Sequence, residues 1–256
     1  MSRIADRFSI AGRKALITGA SKGIGEEICK VFAEAGADIV AVARDGEGLR
    51  QVGEQVRGFG RRCLTIEAEL GTREGPPMAA REALAAWGTI DILVNCAAIA
   101  RIAPASQLSV EDWDATMAVN LRAPFLLSQA LAPAMIAQRW GKIVNISSQT
   151  GVIALDDHAA YASSKGGLNA LTKSLCAEWA RHNVQVNAIC PTIVMTPMGR
   201  EVWGAAEKSD PMLKATPLRR FGEPVEIADM ALYLASPAAE LVNGAIMMIE
   251  GGYTAL

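Results

Sequence analysis

The glycine-rich turn between the first predicted strand and the first long predicted helix restricts the possible folds of this chain most strongly. The run Lys14–Thr18 is apolar and rich in strand-forming residues, and Gly19, Gly23 and Gly25 follow it before a helical pattern begins. A second apolar run at 39–43 completes a βαβ unit of about thirty residues. Because such a unit joins two parallel strands through a helix, the sequence predicts an α/β fold.

The rest of the chain repeats this alternation. Further strands are predicted at 62–67, 90–95, 142–146, 184–190 and 245–249, and helices at 47–59, 77–87, 109–131, 161–181 and 223–235. Strands that alternate with helices give a parallel sheet covered on both faces. We therefore expect residues 1–256 to form a single-domain Rossmann fold with a doubly wound parallel sheet of about seven strands flanked by helices. The segment 192–216 is the least regular, and we expect it to cover the site.

Composition excludes several classes of protein. The chain has 256 residues, of which 51% are hydrophobic, and can bury a large core. Its net charge of −2 gives no reason to expect nucleic acid or a membrane as a partner, and no apolar run could span a bilayer. Five scattered cysteines predict reduced thiols in a cytoplasmic protein. Two distant histidines and the lack of a CxxC pair argue against a metal site.

Tyr161 and Lys165 form the first candidate for catalysis. They are four residues apart in a predicted helix, so both side chains project from one face. An ammonium beside a phenol lowers a pKa that starts near ~10, which would let Tyr161 exchange a proton near neutral pH. Ser148 follows the strand 142–146, at the sheet edge where α/β folds bind ligands. An ordinary amphipathic helix would explain the Tyr–Lys spacing alone, but the serine and the glycine turn favour catalysis.

The glycine turn predicts a dinucleotide site. Glycines let backbone N–H groups approach a pyrophosphate at the start of a helix. An acidic residue after the second strand would bind the ribose of NAD, but Ala43 occupies that position and Arg44 follows it. Lys22 adds a second cation, whereas Asp45 could partly neutralise Arg44. These residues favour NADP(H) as the cofactor and leave NAD(H) possible.

Together these motifs resemble the short-chain dehydrogenase/reductase family along the whole of 12–253. The segment 18–25 matches the family's TGxxxGxG loop, and Asn120, Ser148, Tyr161 and Lys165 match its Asn-Ser-Tyr-Lys catalytic tetrad. The resemblance implies cofactor contacts from Gly19, Ser21, Lys22, Gly23, Ile24, Gly25, Arg44, Glu69, Leu70, Asn95, Ala97, Tyr161, Lys165, Pro191, Ile193, Thr196 and Met198.

Departures from the common family pattern resemble one branch, the L-xylulose (dicarbonyl) reductases. They include Ala97-Ala98 after the fourth strand and Glu250-Gly-Gly near the end, and the strongest local match covers 191–199, followed by Trp203. The branch implies substrate contacts from Ser148, Gln149, His158, Thr192 and Trp203. Other interpretations stay open: a surface loop for His158, a packing or subunit contact for Trp203, and a helix cap for Thr196.

The resemblance implies reversible hydride transfer between NADP(H) and a ketone or secondary alcohol, such as a ketose, dicarbonyl or polyol. Tyr161 would supply the proton while Ser148 hydrogen-bonds the same oxygen. Lys165 would keep the Tyr161 pKa low and hold the nicotinamide ribose, and Asn120 would hold a water leading to solvent. Ile193 and Thr196 would meet the nicotinamide carboxamide.

Three alternatives remain at this point. One is an NAD-linked sugar-alcohol dehydrogenase. Another is a 3-oxoacyl-carrier-protein reductase, which needs a basic patch that Arg139, Arg219 and Arg220 are too few and too scattered to predict. The third is a non-catalytic nucleotide-binding protein, which would be expected to have lost part of the tetrad. The resemblance also implies a homotetramer with interfaces from 109–131, 161–181 and 247–256.

Overall fold

Seven apolar runs form one parallel sheet in the computed structural model, which describes residues 4–255 without the side chains of Met198 and Val202. The sheet order is β3-β2-β1-β4-β5-β6-β7, and every neighbouring pair is parallel. The predicted doubly wound sheet is therefore confirmed. The strands are β1 (Lys14–Thr18), β2 (Asp38–Ala43), β3 (Cys63–Glu67), β4 (Ile92–Asn95), β5 (Gly141–Ile146), β6 (Val184–Pro191) and β7 (Ile246–Ile249).

Helices cover both faces of the sheet, and each face has its own hydrophobic core. Strands β1, β2, β4, β5 and β6 are buried almost throughout, as expected for a parallel sheet between two helical layers. The helices are α1 (Ile4–Phe8), α2 (Gly23–Glu34), α3 (Gly46–Gly58), α4 (Gly75–Trp87), α5 (Val110–Met117), α6 (Ala123–Gln138), α7 (Ala159–Trp179), α8 (Pro197–Trp203), α9 (Ala206–Ala215) and α10 (Pro224–Ala235).

The continuous helix predicted over 109–131 is wrong in two respects. A π-helical segment, Ala118–Arg122, separates α5 from α6, and α6 continues to Gln138 with Pro133 inside it. The continuation buries Met135 in the core beneath the sheet, which apolar periodicity beyond Leu131 allows. The π segment holds Asn120, and such segments occur frequently at functional sites.

The irregular segment after β6 contains two short helices, α8 and α9, rather than one regular element. Thr196 begins α8 as its N-cap, since its hydroxyl accepts a hydrogen bond of 3.0 Å from the Gly199 N–H. Both helices lie at the carboxyl edge of the sheet, next to the end of β6.

Three further findings concern the described residues. None of the helices at 4–255 is both long and apolar enough to cross a membrane. Within the same range, no three His, Cys, Asp or Glu side chains are grouped so that they could hold a metal ion. All five cysteines are free thiols.

Candidate active site

A cavity of about 570 Å³ lies at the carboxyl edge of the sheet, where the strand order reverses between β1 and β4. Open α/β sheets bind ligands at such a switch point. Most of the predicted site residues line this cavity. They are Gly19, Ser21, Lys22, Gly23, Ile24, Gly25, Arg44, Glu69, Leu70, Ala97, Ser148, Gln149, His158, Tyr161, Lys165, Pro191, Thr192, Ile193, Thr196 and Trp203. Met198 was also predicted, but its side chain lies outside the described part of the chain.

The glycine turn packs so closely that side chains would not fit. A Cβ on Gly25 would lie 2.2 Å from the Gly19 carbonyl oxygen, and a Cβ on Gly19 would lie 2.9 Å from the Cα of Ala97. Gly19 and Gly23 have φ angles of 65° and 64°, which glycine adopts without strain. The turn therefore presents bare backbone and the start of α2 to the cavity, an arrangement that fits a pyrophosphate.

Thr18 is a site residue that sequence reasoning did not single out beyond its place in the loop motif. Its hydroxyl accepts hydrogen bonds from the Cys96 and Ala97 N–H groups, at 2.9 Å and 3.0 Å. The hydroxyl thus fixes the end of β4 against the glycine turn. The available signal was a polar residue at the end of an otherwise apolar strand.

Asn120 supports the site from behind the cavity wall. Its side chain is 1% exposed and makes two 2.9 Å hydrogen bonds with the backbone of Ile99, one as acceptor and one as donor. It also donates to the Ser164 hydroxyl at 3.1 Å, and that hydroxyl donates to the Tyr161 carbonyl at 2.7 Å. Ser164, which sequence reasoning missed, therefore connects the π segment to the turn of α7 that carries Tyr161.

Asn95 does not line the cavity, although it was predicted to contact the cofactor. It is 2% exposed, and its amide nitrogen donates to the Asn145 side chain at 2.8 Å. The parallel register pairs these two residues directly across β4 and β5. Asn145 in turn donates to Thr172 of α7 at 2.9 Å, so this polar chain joins two strands to the helix beneath the site.

Lys165 is buried at the base of the cavity, one helical turn from Tyr161. Its ammonium donates a 2.7 Å hydrogen bond to the Ile146 carbonyl and lies 5.5 Å from the centre of the Tyr161 ring. Burial lowers the pKa of Lys165 to about 8, since few groups there replace the lost hydration.

The expectation that Lys165 lowers the pKa of Tyr161 is wrong for the protein groups of this structure. Burial raises the pKa of the phenol to about 12, and a hydrogen bond with Ser148 only partly offsets the increase. The cause is geometric, since the Lys165 ammonium is directed to the Ile146 carbonyl. Tyr161 is therefore held in its protonated form, the form that an acid catalyst of carbonyl reduction needs.

Two polar groups in the cavity wall lack partners among the described residues. They are the amide oxygen of Gln149, whose side chain is 2% exposed, and the buried hydroxyl oxygen of Thr192. Buried polar atoms are nearly always hydrogen-bonded in proteins, so both are suited to a polar ligand. Gln149 follows Ser148 directly, and both residues line the cavity together with Tyr161.

His158 and Trp203 also line the cavity, and each contacts an aromatic ring. The His158 ring lies edge-on to Tyr161 with centroids 6.2 Å apart, and its Nδ1 is 2.5 Å from the Asp156 carbonyl oxygen. Trp203 packs against Phe221 at 6.3 Å. For Trp203 the predicted pocket position and the alternative packing contact therefore both hold.

Thr196 and Ile193 line the cavity, but each has a polar group that is already hydrogen-bonded to another residue of the protein. The Thr196 hydroxyl caps α8, as the alternative interpretation proposed, while its methyl group faces Gly23. The Ile193 carbonyl accepts a 2.9 Å hydrogen bond from the Gly222 N–H. The Ile193 carbonyl therefore already holds the segment after β6 in place.

At the charged end of the cavity, Arg44 and Asp45 do not pair with each other, although the sequence allowed that pairing. Asp45 was considered a partner of Arg44, but its carboxylate caps α3 by accepting from the Gly48 N–H at 3.1 Å. Arg44 pairs instead with Glu69, with 3.2 Å between the nitrogen and the carboxylate oxygen. Lys22 is exposed beside the glycine turn.

The start of α2, which the glycine turn surrounds, lies at the switch point of a parallel sheet. It is next to Ser148, Tyr161 and Lys165. This combination defines a class of protein, the NAD(P)-dependent oxidoreductases. A family profile described as enoyl-(acyl carrier protein) reductase matches residues 19–254. With this match and the relatives below, the chain belongs to the short-chain dehydrogenase/reductase family, as the motifs predicted.

Several named relatives align over almost the whole chain. D-threitol dehydrogenase of Mycolicibacterium smegmatis is 42% identical over 96% of this chain and 95% of its own length. NAD-dependent glycerol dehydrogenase of Listeria innocua is 40% identical, covering 96% of each chain. L-xylulose reductase of Mus musculus is 40% identical over 97% of this chain and 99% of its own length.

A solved structure is also similar to this chain over almost its whole length. Gluconate 5-dehydrogenase from Burkholderia cenocepacia J2315, in complex with NADP and tartrate, superposes with a TM-score of 0.94 at 38% identity, covering 99% of this chain and 100% of that one.

Proposed function

We propose that the chain transfers hydride reversibly between NADP(H) and a polyhydroxylated substrate, a ketose or dicarbonyl in reduction and a polyol in oxidation. The observation that carries this proposal is a pair of buried polar atoms, on Gln149 and Thr192, that lack partners among the described residues and lie in the wall of the cavity that Ser148 and Tyr161 also line. A substrate with several hydroxyl groups would satisfy both atoms, whereas an acyl chain would leave them unpaired at a cost of about 1–3 kcal/mol each. The named relatives that act on threitol, glycerol and L-xylulose support this substrate class.

Tyr161 acts as the general acid of the reduction in this proposal. The cofactor supplies the hydride that the carbonyl carbon receives. The Tyr161 hydroxyl gives its proton to the carbonyl oxygen as charge develops there, and Ser148 donates a hydrogen bond to the same oxygen. Oxidation reverses these transfers: Tyr161 must first release its own proton, which its raised pKa favours only at high pH, and it then takes the proton of the alcohol.

Lys165 and Asn120 help to replace the proton that Tyr161 has given up. By family resemblance, Lys165 holds the nicotinamide ribose, and its pKa of about 8 allows it to exchange a proton near neutral pH. Asn120 keeps the backbone of the π segment and of Ile99 in place, so that a water can connect Lys165 to solvent.

The preference for NADP(H) rests on Lys22 and Arg44, which stand at the end of the cavity where the adenosine ribose would lie. The relatives include an NAD-dependent glycerol dehydrogenase and a structure with NADP, so either cofactor occurs on closely similar chains. An NAD-linked polyol dehydrogenase is the second candidate, because the ion pair with Glu69 partly neutralises Arg44.

We also propose that residues 1–256 act as one domain whose segment 192–216 covers the bound substrate, in a cytoplasmic homotetramer. Apolar side chains at the end of α5 and on the π segment, α6 and α7 leave a groove that another subunit could fill, and it is lined in part by Met117, Leu121, Phe125 and Leu171. The predicted 247–256 interface includes Leu256, which lies outside the described residues. Light scattering after gel filtration would measure the subunit number.

The experiment is a paired assay of L-xylulose, a vicinal diketone and xylitol, each with NADPH/NADP and with NADH/NAD. We expect reduction of the ketose or diketone with NADPH to have the highest kcat/KM. A preference for NAD with xylitol would contradict the cofactor assignment and favour the second candidate. Activity only with acyl thioesters would contradict the substrate class.

A further inference from the structure

The charged pair between Arg44 and Glu69 lies at the mouth of the cofactor cavity. Arg44 follows β2 and Glu69 follows β3, and the register that pairs Ala43 with Glu67 brings both side chains to the same edge. The Arg44 nitrogen lies 3.2 Å from the Glu69 carboxylate, and both side chains line the cavity. Any negative group placed beside Arg44 must therefore meet a carboxylate that is already there.

Glu69 is held in place independently of Arg44. Its second carboxylate oxygen accepts a 2.8 Å hydrogen bond from the Gly71 N–H. Gly71 is fixed in turn, because Arg122 of the π segment donates to its carbonyl oxygen. The carboxylate therefore has a fixed backbone anchor, whereas Arg44 is bonded only to Glu69 among the residues of 4–255.

Arg44 and Lys22 are the cations that would attract a 2′-phosphate, and Glu69 is paired with Arg44. The side chain of Arg44 is 68% exposed and that of Glu69 is 47% exposed, so the pair is weak enough to be broken by a ligand. A phosphate monoester carries close to two negative charges at neutral pH and competes for the same guanidinium. A 2′-hydroxyl carries no charge and leaves the pair intact.

We propose that Glu69 determines cofactor selectivity by holding Arg44, which weakens NADP(H) binding and keeps the site open to NAD(H). This inference rests on the proposed function only in requiring that the cavity binds a nicotinamide dinucleotide. It differs from the direct cofactor contact that the family resemblance implied for Glu69, which would be a contact with the adenine. An adenine contact would affect both cofactors equally, whereas competition for Arg44 affects the phosphorylated cofactor alone.

The test is a fluorescence titration that gives the Kd of NADPH and of NADH without substrate. The variant Glu69→Gln keeps an oxygen that can accept from Gly71 and loses the charge. We expect it to bind NADPH about two- to five-fold more tightly, the range expected from an exposed ion pair. Its NADH affinity should change less than ~1.5-fold, because the 2′-hydroxyl does not compete for Arg44. The gain should shrink at high salt, which screens exposed charges.

The matched control repeats the substitution in a chain without the guanidinium. In the Arg44→Met background, Glu69→Gln should change the NADPH affinity less than ~1.5-fold, since the competition has been removed. An undiminished gain there would overturn the proposal in favour of direct repulsion of the phosphate. Equal changes for NADH and NADPH would overturn it in favour of an adenine contact. If the unmodified chain binds neither cofactor, the proposed function itself fails.

Discussion

The side-chain amide of Asn120 makes two hydrogen bonds of 2.9 Å with the backbone of Ile99, one in each direction. Ile99 lies in the loop that follows β4 and lines the cavity, whereas Asn120 lies in the π-helical segment behind it. This reciprocal contact fixes the distance between the loop and the helix. Because Asn120 also bonds Ser164, the same amide is connected to the turn of α7 that carries Tyr161.

Replacing Asn120 with alanine should therefore reduce both stability and turnover. The partly buried Ile99 N–H and carbonyl would lose their partners, so we expect urea unfolding to show a loss of roughly 2–3 kcal/mol. The control Ser164→Ala leaves both hydrogen bonds between Asn120 and Ile99 intact and should cost ~1 kcal/mol, with a smaller loss of kcat. A variant at position 120 that keeps its stability but loses turnover would show that Asn120 does not act through Ile99.

The pH dependence of reduction should report Lys165 rather than Tyr161. Tyr161, with a pKa of about 12, stays protonated at all ordinary assay pH values. Lys165, with a pKa of about 8, loses its charge as the pH rises through that value, so kcat/KM should fall there. The Lys165→Arg variant stays charged, and its profile should lack this decline whatever its absolute rate. An unchanged decline near that pH in the arginine variant would assign it to another group.

Gln149 offers a test that separates binding from folding. Methionine has a similar volume but no polar atoms, so Gln149→Met removes the unpartnered buried oxygen. We expect the free energy of unfolding to stay equal or to rise by up to ~1 kcal/mol, while kcat/KM for a polyol or ketose falls at least ~10-fold. Thermal unfolding and steady-state kinetics measure the two effects. A destabilised variant with unchanged kinetics would make Gln149 a packing residue.

Asp38 should make stability depend on pH in the acidic range. Burial of its carboxylate opposes ionisation, but hydrogen bonds from Arg62 and the charges of Arg61 and Arg62 prevail and lower its pKa. A lowered folded-state pKa gives stability that is present above the unfolded value of ~3.9 and lost as the pH falls through the folded value.

Asp38→Asn should accordingly lower the free energy of unfolding by about 2 kcal/mol at neutral pH and by less in acid. Urea unfolding at both pH values measures the difference. Glu54→Gln removes one carboxylate of an exposed ion pair with Arg50 and should cost less than ~0.5 kcal/mol. An equal loss for Asp38→Asn at the two pH values would contradict the sign of the shift.

Most of the fold followed from local patterns in the sequence. The apolar runs that form β1, β2 and β5 were located to within a residue, because a strand buried on both faces leaves a nearly continuous apolar signal. The π segment was missed, since its signal is an extra residue in a helix rather than a change in hydrophobic period.

The site could be predicted as a set of residues but not as a set of contacts. Ser148, Tyr161 and Lys165 line one cavity, because Ser148 follows β5 at the carboxyl edge of the sheet and α7 carries the other two residues to the same edge. The direction of the Lys165 ammonium and the partner of Arg44 depend on rotamers and on loops between strands. Those choices are made by tertiary packing, and local sequence does not contain them.

We propose that this site transfers hydride to a carbonyl carbon while Tyr161 supplies the proton. The most direct measurement uses NADPH deuterated at the transferring position of its nicotinamide C4, with L-xylulose as the acceptor, and follows deuterium in the product by mass spectrometry. We predict one deuterium on the former carbonyl carbon, and a rate that falls by ~10²–10⁴-fold in Tyr161→Phe while NADPH binding changes less than ~3-fold. A product without deuterium would contradict the proposed hydride transfer. A phenylalanine variant that keeps more than about a tenth of the rate would contradict the role of Tyr161 as proton donor.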